Sequence, residues 1–444
     1  MIKKQFTIMK LTRLISTLAF MLCFVAMYAQ VKIDFDFNNR GQLVTEDHYG
    51  IFFEEINHAG DGGLYAELVR NRSFEEDMNS PICWSTVGNS TISLTSDNML
   101  NDVQKRALKV DIKTANGGAR NEGYWGINIV AGRTYDLSFW LRAEDNYDGT
   151  ITAELQNGTG QQMGRATFNV AATQEWKKYT ATIKANGNEA RGYFAIKGSK
   201  KGVIYLDVVS LFPPTFKNRP NGCREDLAQM LADLHPKFMR FPGGCYIEGF
   251  FGDGSSNRFE WKKSIGPIEE RPGHLNRNWG YKVTDGMGYH ECLQLAEDLG
   301  AHSLFVVNMG IGHEWKMDEN NIDPFIQEAL DAIEYAKGSA TDTYYGKMRA
   351  ENGHEEPFDL KYLEIGNEQE FMLNRDDYMK RYMQFYTAIK TRWPELHLIA
   401  DSYYFDNITE PVELKDEHYY DTPEFFINQY GRYDNQSKSS TKIY

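Results

Sequence analysis

From Asn218 to Tyr444 the chain repeats one pattern, a short apolar run followed by a longer amphipathic stretch, and few folds satisfy it. The runs KFMRF, SLFVVNMG, DLKYLEIGNE and LHLIADS read as buried strands, and residues 224–234, 289–299, 324–337 and 376–393 carry apolar side chains at helical spacing. A further short helix is predicted near residues 423–429. Strands separated by helical crossovers pair in parallel, and a parallel sheet needs helices over its faces. With the run at Ile51 included, strand candidates lie at Ile51, Phe238, Leu304, Leu363, Leu398, His418 and Ile443, seven in all. The class is α/β, and a length of 444 residues predicts two domains.

The pattern is broken once. The first unit, YGIFFEEINHAGDGGLYAELVRNRSFE, predicts a strand tipped by Glu54 and Glu55, a glycine-rich loop, and a short helix over residues 64–70. Between residues 79 and 213 the period switches to two, in runs such as TISLTSD, RALKVDIK, RTYDLSFWLRAED, KKYTATIK and GVIYLDVVSLF. Regularly spaced alternating strands predict an all-β sandwich of jelly-roll type, ended by Pro213-Pro214. Loops on one face of a barrel tolerate insertions. The expected domains are therefore residues 1–29 as a signal peptide, 30–77 as a first barrel unit, 78–213 as the inserted sandwich and 214–444 as barrel strands two to seven.

Lys3, Lys4, Lys10 and Arg13 precede an apolar run over residues 14–25, and Ala26-Met27-Tyr28-Ala29 offers the small residues of a cleavage site. The apolar core is shorter than the roughly 20 residues that span hydrocarbon, so an exported protein, periplasmic or extracellular, with no membrane span after cleavage is expected. Loss of those four basic residues would deepen a formal charge of -14 by four. Such a surface repels phosphate backbones, which argues against nucleic acid and suits a neutral substrate. Cys83, Cys223, Cys245 and Cys292 are far apart and unpaired in CxxC spacing, so neither a disulfide framework nor a zinc site is predicted. HExxH, GxGxxG and GxxxxGK[ST] motifs are absent, and the His-Glu pairs at His290, His313 and His354 read as isolated surface histidines.

Most strand candidates deliver polar or special residues at their carboxyl ends: Glu54, Arg240 with Pro242-Gly243-Gly244-Cys245, Asn308, Asn367-Glu368, Asp401-Ser402 and Glu417-His418-Tyr419-Tyr420. Barrel enzymes keep their chemistry at that end. A helix cap or turn would explain any one of these residues, whereas the ring of them predicts a polar pocket over a packed apolar sheet. Glu368 leads as a general acid, its proton retained if burial and nearby carboxylates raise its pKa. Taken alone it reads equally as a carboxylate favouring the dipole of the following helix.

Three segments in order, YGIFFEEINHAGDGGLYAELVRNRSFE, KFMRFPGGCYIEG and KYLEIGNE, resemble the α-L-arabinofuranosidases of glycoside hydrolase family 51. The sandwich, closing in VIYLDVVSLFPP, is similar to carbohydrate-binding modules of the family 4 and 9 type. The resemblance implies a (β/α)8 TIM barrel, exo-acting hydrolysis with retention of configuration, and terminal arabinofuranose on arabinan or arabinoxylan side chains as substrate. It implies an acid/base following Asn at the end of strand four and a nucleophile at the end of strand seven. By that match Glu368 is the acid/base, and Glu54, Gly244, Cys245, Asn367, His418 and Tyr420 line the sugar pocket. Family nucleophiles follow a strand resembling Lys442-Ile443-Tyr444, where this sequence ends. The expectation is a barrel incomplete at its carboxyl end, the nucleophile beyond residue 444, and these residues nearly inactive alone. No cofactor or metal is expected.

Two other readings compete: a non-catalytic polysaccharide-binding protein, and another retaining barrel glycosidase such as an endo-β-glucanase. In the sandwich, Trp84, Tyr124, Trp125, Trp140 and Trp176 are candidates for stacking on sugar, although strand aromatics are more often core. Trp125, in GYWG, is the one expected to be exposed. The implied partner is an arabinose-containing plant polysaccharide, and the sequence leaves the oligomeric state open.

Overall fold

Seven parallel strands lie side by side in chain order: β1 (Ile51–Phe52), β2 (Phe238–Phe241), β3 (His302–Val307), β4 (Leu360–Ile365), β5 (His397–Asp401), β6 (Leu414–Asp416) and β7 (Lys442–Ile443). The computed structural model describes residues 38, 47–144, 147–170, 173–250, 257–401, 410–435 and 441–444. The expected leader at residues 1–29 and Ser402 lie outside them. Phe241 stands opposite Phe305, Val307 opposite Ile365, and Ile365 opposite Ala400, so the residues that follow these strands emerge at one rim. Among the described residues β1 and β7 each pair on one side only, which leaves the sheet an open barrel wall.

Phe305, Val306, Leu363, Ile365, Leu398 and Ile399 are all buried, on both faces of the wall, and that double burial is why their strands read as continuous apolar runs. The crossovers carry α1 (Glu225–Asp233), α2 (Tyr289–Leu299), α3 (Asp323–Lys337), α4 (Tyr344–Glu351), α5 (Arg375–Arg392) and α6 (Pro423–Gln429). Their ends follow local chemistry. Pro324 and Pro423 open α3 and α6, whose first turns need no N–H there, and Gly300 closes α2 at φ 68. Asn374 and Thr422 cap α5 and α6 by accepting from the backbone N–H of Asp377 and Phe425. Leu293, Ala296, Ile333, Phe385 and Ile389 bury the inner faces of α2, α3 and α5 against the sheet. The larger of these contribute about 1.5–3 kcal/mol each by burial.

Residues 84–212 form two antiparallel sheets. One runs in the order 177–184, 134–143, 202–212, 107–112, 90–95, and the other 84–87, 118–121, 189–198, 150–156, 162–169, with 127–129 added against 189–198. Leu108, Val110, Phe139, Leu141, Ile151, Phe194, Ile196 and Leu206 alternate inward to make its core. The strands 84–87, 118–121, 127–129 and 162–169 are additional to those predicted.

Three expectations fail here. Residues 64–70 are not helical: after a five-residue turn at Gly60–Leu64 the chain is strung between the two sheet systems. The backbone N–H groups of Ala66 and Leu68 donate to Gly222 and Leu211, so they are taken by tertiary partners before a helix can use them. The sixth strand begins at Leu414 rather than at His418, because Leu414 and Asp416 pair with Ile399 and Asp401. His418 thus follows the strand instead of starting it. His290, His313 and His354 are not isolated surface histidines: His290 is buried with its ring nitrogen on the Tyr335 hydroxyl, His354 is half-buried and stacks on Phe358 at 3.8 Å, and half-buried His313 stacks on Phe250 and Phe371 at 5.1 and 5.0 Å. No described helix is long and apolar enough to cross a membrane.

Candidate active site

Strand β4 ends at Ile365, Gly366 turns the chain at φ 90, and Glu368 follows in the left-handed region at φ 48. A glutamate held there costs on the order of 1–3 kcal/mol, and its neighbours hold it in place. The Gln369 N–H donates to Asp401 at 2.7 Å, and the Gln369 amide donates to the Asn367 carbonyl at 2.6 Å.

Beneath this turn lies a buried charged network. Arg240, from β2, grips Glu364 of β4 through two bonds of 2.6 Å, donates to the Asn367 side-chain oxygen at 2.9 Å, and lies 3.6 Å from Asp416 of β6. The Asn367 amide nitrogen donates to Glu248 at 3.1 Å, so Arg240 and Glu248 together fix which way that amide faces. Burial pushes the Glu364 carboxyl up, and Arg240 opposes the shift. The same pair of fully desolvated groups holds the guanidinium protonated.

Glu368 sits above this layer and is only partly covered. His418 Nδ1 lies 2.7 Å from Glu368 Oε1, and its Nε2 lies 2.6 Å from Asp416. Burial works to lower the His418 pKa, but the two carboxylates raise it to about 11. The bond to His418 in turn holds Glu368 below the usual carboxylate range, against burial and with help from Tyr420. This corrects the expectation of a raised Glu368 pKa. The hydrogen bond and positive charge of His418 outweigh burial, and the Arg240 charge beneath adds to the lowering.

Glu54, two residues past the end of β1, joins the same cluster. It accepts from Trp279 Nε1 at 3.1 Å and from the Tyr246 N–H at 3.2 Å, and burial pushes its pKa up to about 7. A side chain on Gly244 would meet the Glu54 carboxylate at 2.1 Å and displace it, and the φ of 57 at Gly244 favours glycine. Cys245 lies among Glu248, Glu54 and Glu368, and burial with those carboxylates pushes its thiol up to about 12. Tyr420, 87% exposed, leans over Glu368 from the rim.

Glu54, Gly244, Cys245, Asn367, Glu368, His418 and Tyr420 therefore meet in one place. Asn308 instead braces its own turn, accepting from Gly310 and Ile311 and donating to Ile247. Trp125 stands apart, 65% exposed on a sandwich loop, where it meets His58 of the loop after β1 edge-on at 6.1 Å. Trp84 is core. Sequence reasoning missed Glu248, Trp279, Glu364, Gln369 and Asp416. Glu364 had one signal, a carboxylate in the middle of an apolar strand, which burial permits only with a partner.

The chain matches the family described as Alpha-L-arabinofuranosidase 1 domain over residues 230–438 and the carbohydrate binding domain family over residues 66–202. It is 37% identical over 425 residues to alpha-L-arabinofuranosidase 1 of Arabidopsis thaliana, covering 92% of this chain and 61% of that protein. It is 36% identical to an extracellular exo-alpha-L-arabinofuranosidase of Streptomyces chartreusis (91% and 51% covered) and 35% identical to alpha-L-arabinofuranosidase A of Aspergillus kawachii (96% and 69% covered). An arabinose-bound MgGH51 α-L-arabinofuranosidase superposes with a TM-score of 0.84 at 32% identity, covering 89% of this chain and 65% of that one. An α/β barrel wall with a carboxylate at the tip of its fourth strand and an inserted sandwich is the frame of a barrel glycosidase. The chain belongs to the α-L-arabinofuranosidases of glycoside hydrolase family 51. It spans about three fifths of the length of the plant relative.

Proposed function

We propose that this chain carries the sugar pocket and the acid/base of an exo-acting, retaining α-L-arabinofuranosidase that removes terminal arabinofuranose from arabinan or arabinoxylan side chains. The observation that carries the reading is Glu368, strained just past the end of β4, bonded to His418, and gathered with Glu54, Cys245 and Tyr420 into one cluster of side chains. In that role Glu368 gives a proton to the leaving oxygen and then takes one from water. The bridging proton of the His418 imidazolium is one hydrogen bond from Glu368 and can be drawn on when a second carboxylate raises the Glu368 pKa. A retaining pair stands about 5–5.5 Å apart. The resemblance assigns the nucleophile to a second carboxylate at the end of strand seven. Asn367, fixed by Arg240 and Glu248, offers its amide to a ring hydroxyl.

Trp125 extends the reading to the polymer. It borders a groove of about 290 Å³ shared with Tyr124, Asn128, Arg133 and Glu225, an aromatic platform with polar groups beside it. Export is part of the proposal, supported by the leader pattern and by the extracellular Streptomyces relative. Calorimetry with L-arabinose tests the pocket. Binding that weakens about tenfold or more in Glu54→Gln supports it, and no arabinose binding by the intact chain rejects it. Release of single arabinose units by the active protein separates this reading from an endo-glucanase, which would cut internal bonds.

A further inference from the structure

The loop after β2 and the loop after β3 bring together three side chains of a kind that bind metal: Cys245, Glu248 and His313, whose ligand atoms all lie within 4.8 Å of one another. Cys245 and Glu248 are three residues apart, but His313 lies 65 residues further on, so no compact ligand motif announced the set.

The Glu248 side chain is 1% exposed. One of its oxygens accepts from Asn367 and Gln369, while the other, Oε2, faces His313 Nε2 at 3.5 Å, and neither of these two buried atoms has a hydrogen bond of good geometry. A direct charged hydrogen bond would close to about 2.7–2.9 Å. Two ligands each about 2.0–2.2 Å from one tetrahedral ion stand roughly 3.4 Å apart, which is the spacing observed. The His313 ring is clamped between Phe250 and Phe371, with centroids at 5.1 and 5.0 Å and nearly parallel planes, so Nε2 is aimed without help from an ion. Cys245 supplies the third, softer donor, and Glu54 and Glu368 add negative charge around it.

A second cluster sharpens the contrast. Glu364, Asp416 and His418 are equally close, but Arg240 already supplies their positive charge and the His418 contacts have closed to 2.6–2.7 Å. Of the two, only the first cluster keeps ligand-ligand spacing at its His-Glu pair, and among the described residues no arginine or lysine is paired with Glu248.

We propose that Cys245, Glu248 and His313 form a three-ligand site for a borderline-soft divalent cation, Zn²⁺ or Cd²⁺, and that a filled site blocks the sugar pocket. Binding releases the Cys245 thiol proton to solvent and leaves the fourth position to water. The blocking half of the proposal rests on the arabinose reading, because Cys245 lines that pocket and Glu248 orients Asn367.

The test is titration of the intact chain with ZnCl₂ by calorimetry, together with visible and near-ultraviolet spectra of the Co²⁺-loaded protein. One ion per chain is expected, with a thiolate-to-cobalt charge-transfer band. Cys245→Ser should abolish that band, Cys245→Ser and His313→Ala should each weaken Zn²⁺ at least about tenfold, and Cys83→Ser should change neither. Arabinose affinity should fall in step with Zn²⁺ occupancy. Absence of stoichiometric Zn²⁺ binding, or binding that Cys245→Ser leaves intact, overturns the site, and unchanged arabinose affinity at full occupancy overturns the blocking. If arabinose does not bind even without Zn²⁺, the sugar reading has failed, and the Zn²⁺ titration still decides the metal site.

Discussion

The imidazole of His418 lies 2.7 Å from the Glu368 carboxylate, and this contact sets the charge at the tip of β4. It keeps Glu368 ionised and His418 protonated in the same pH range, with Asp416 anchoring the far side of the ring.

Because the His418 pKa is raised from 6.5 to about 11 on folding, its stabilising effect is complete below pH 6.5 and fades as pH rises toward 11. Glu368, held low, contributes above its ordinary value of 4.5 and loses that contribution as pH falls below it. Urea unfolding should therefore show His418→Gln losing most stability near pH 6 and less at pH 9. In NMR titrations the His418 ring should remain protonated at pH 8, and its pKa should drop in Glu368→Gln. A His418 ring that titrates near 6.5 would contradict the assignment.

Arg240 and Glu364 are buried partners, so removing either alone strands a charge. Arg240→Met is expected to destabilise by about 3–5 kcal/mol, and Arg240→Met with Glu364→Leu by much less. Urea midpoints of the two singles and the double measure this.

Gly244→Ala places a methyl where Glu54 now sits and imposes a side chain at φ 57. The expected result is a loss of about 1–3 kcal/mol in stability and about tenfold or more in arabinose affinity. Gly280→Ala, also at positive φ but with open space around it, should carry the backbone cost without the affinity loss.

Trp125→Ala should weaken binding of arabinan or arabinoxylan in affinity gels while leaving free arabinose binding and stability nearly unchanged, since the ring is mostly exposed. Trp84→Ala is the counterpart: that ring is core, and about 3–5 kcal/mol of stability should go with it.

Much of this was legible from periodicity. Tyr289–Leu299 and Pro423–Gln429 are helices where the spacing put them, and the apolar run before Glu368 is the fourth strand of the wall. The helix Tyr344–Glu351 was not foreseen because YYGKMRAE has no apolar stripe. The helix expected at residues 64–70 had the right composition, but its backbone was claimed by Gly222 and Leu211. At the site, single strand-end residues were readable because each follows an apolar run. Arg240 and Glu364 meet across 124 residues, and Glu248 and Asn367 across 119, pairings that no local pattern encodes. That long-range pairing also explains the inverted Glu368 pKa: the local sequence shows the carboxylate but not the cations, His418 and Arg240, that lower it.

The most direct test of the account is a crystal of this chain with L-arabinose bound. The sugar is expected between Glu54 and Glu368, with its anomeric oxygen within about 2.6–3.2 Å of the Glu368 carboxylate and a ring hydroxyl on Asn367. Arabinose found elsewhere, or a Glu368 turned away from it, would contradict the assignment of this carboxylate as the acid/base.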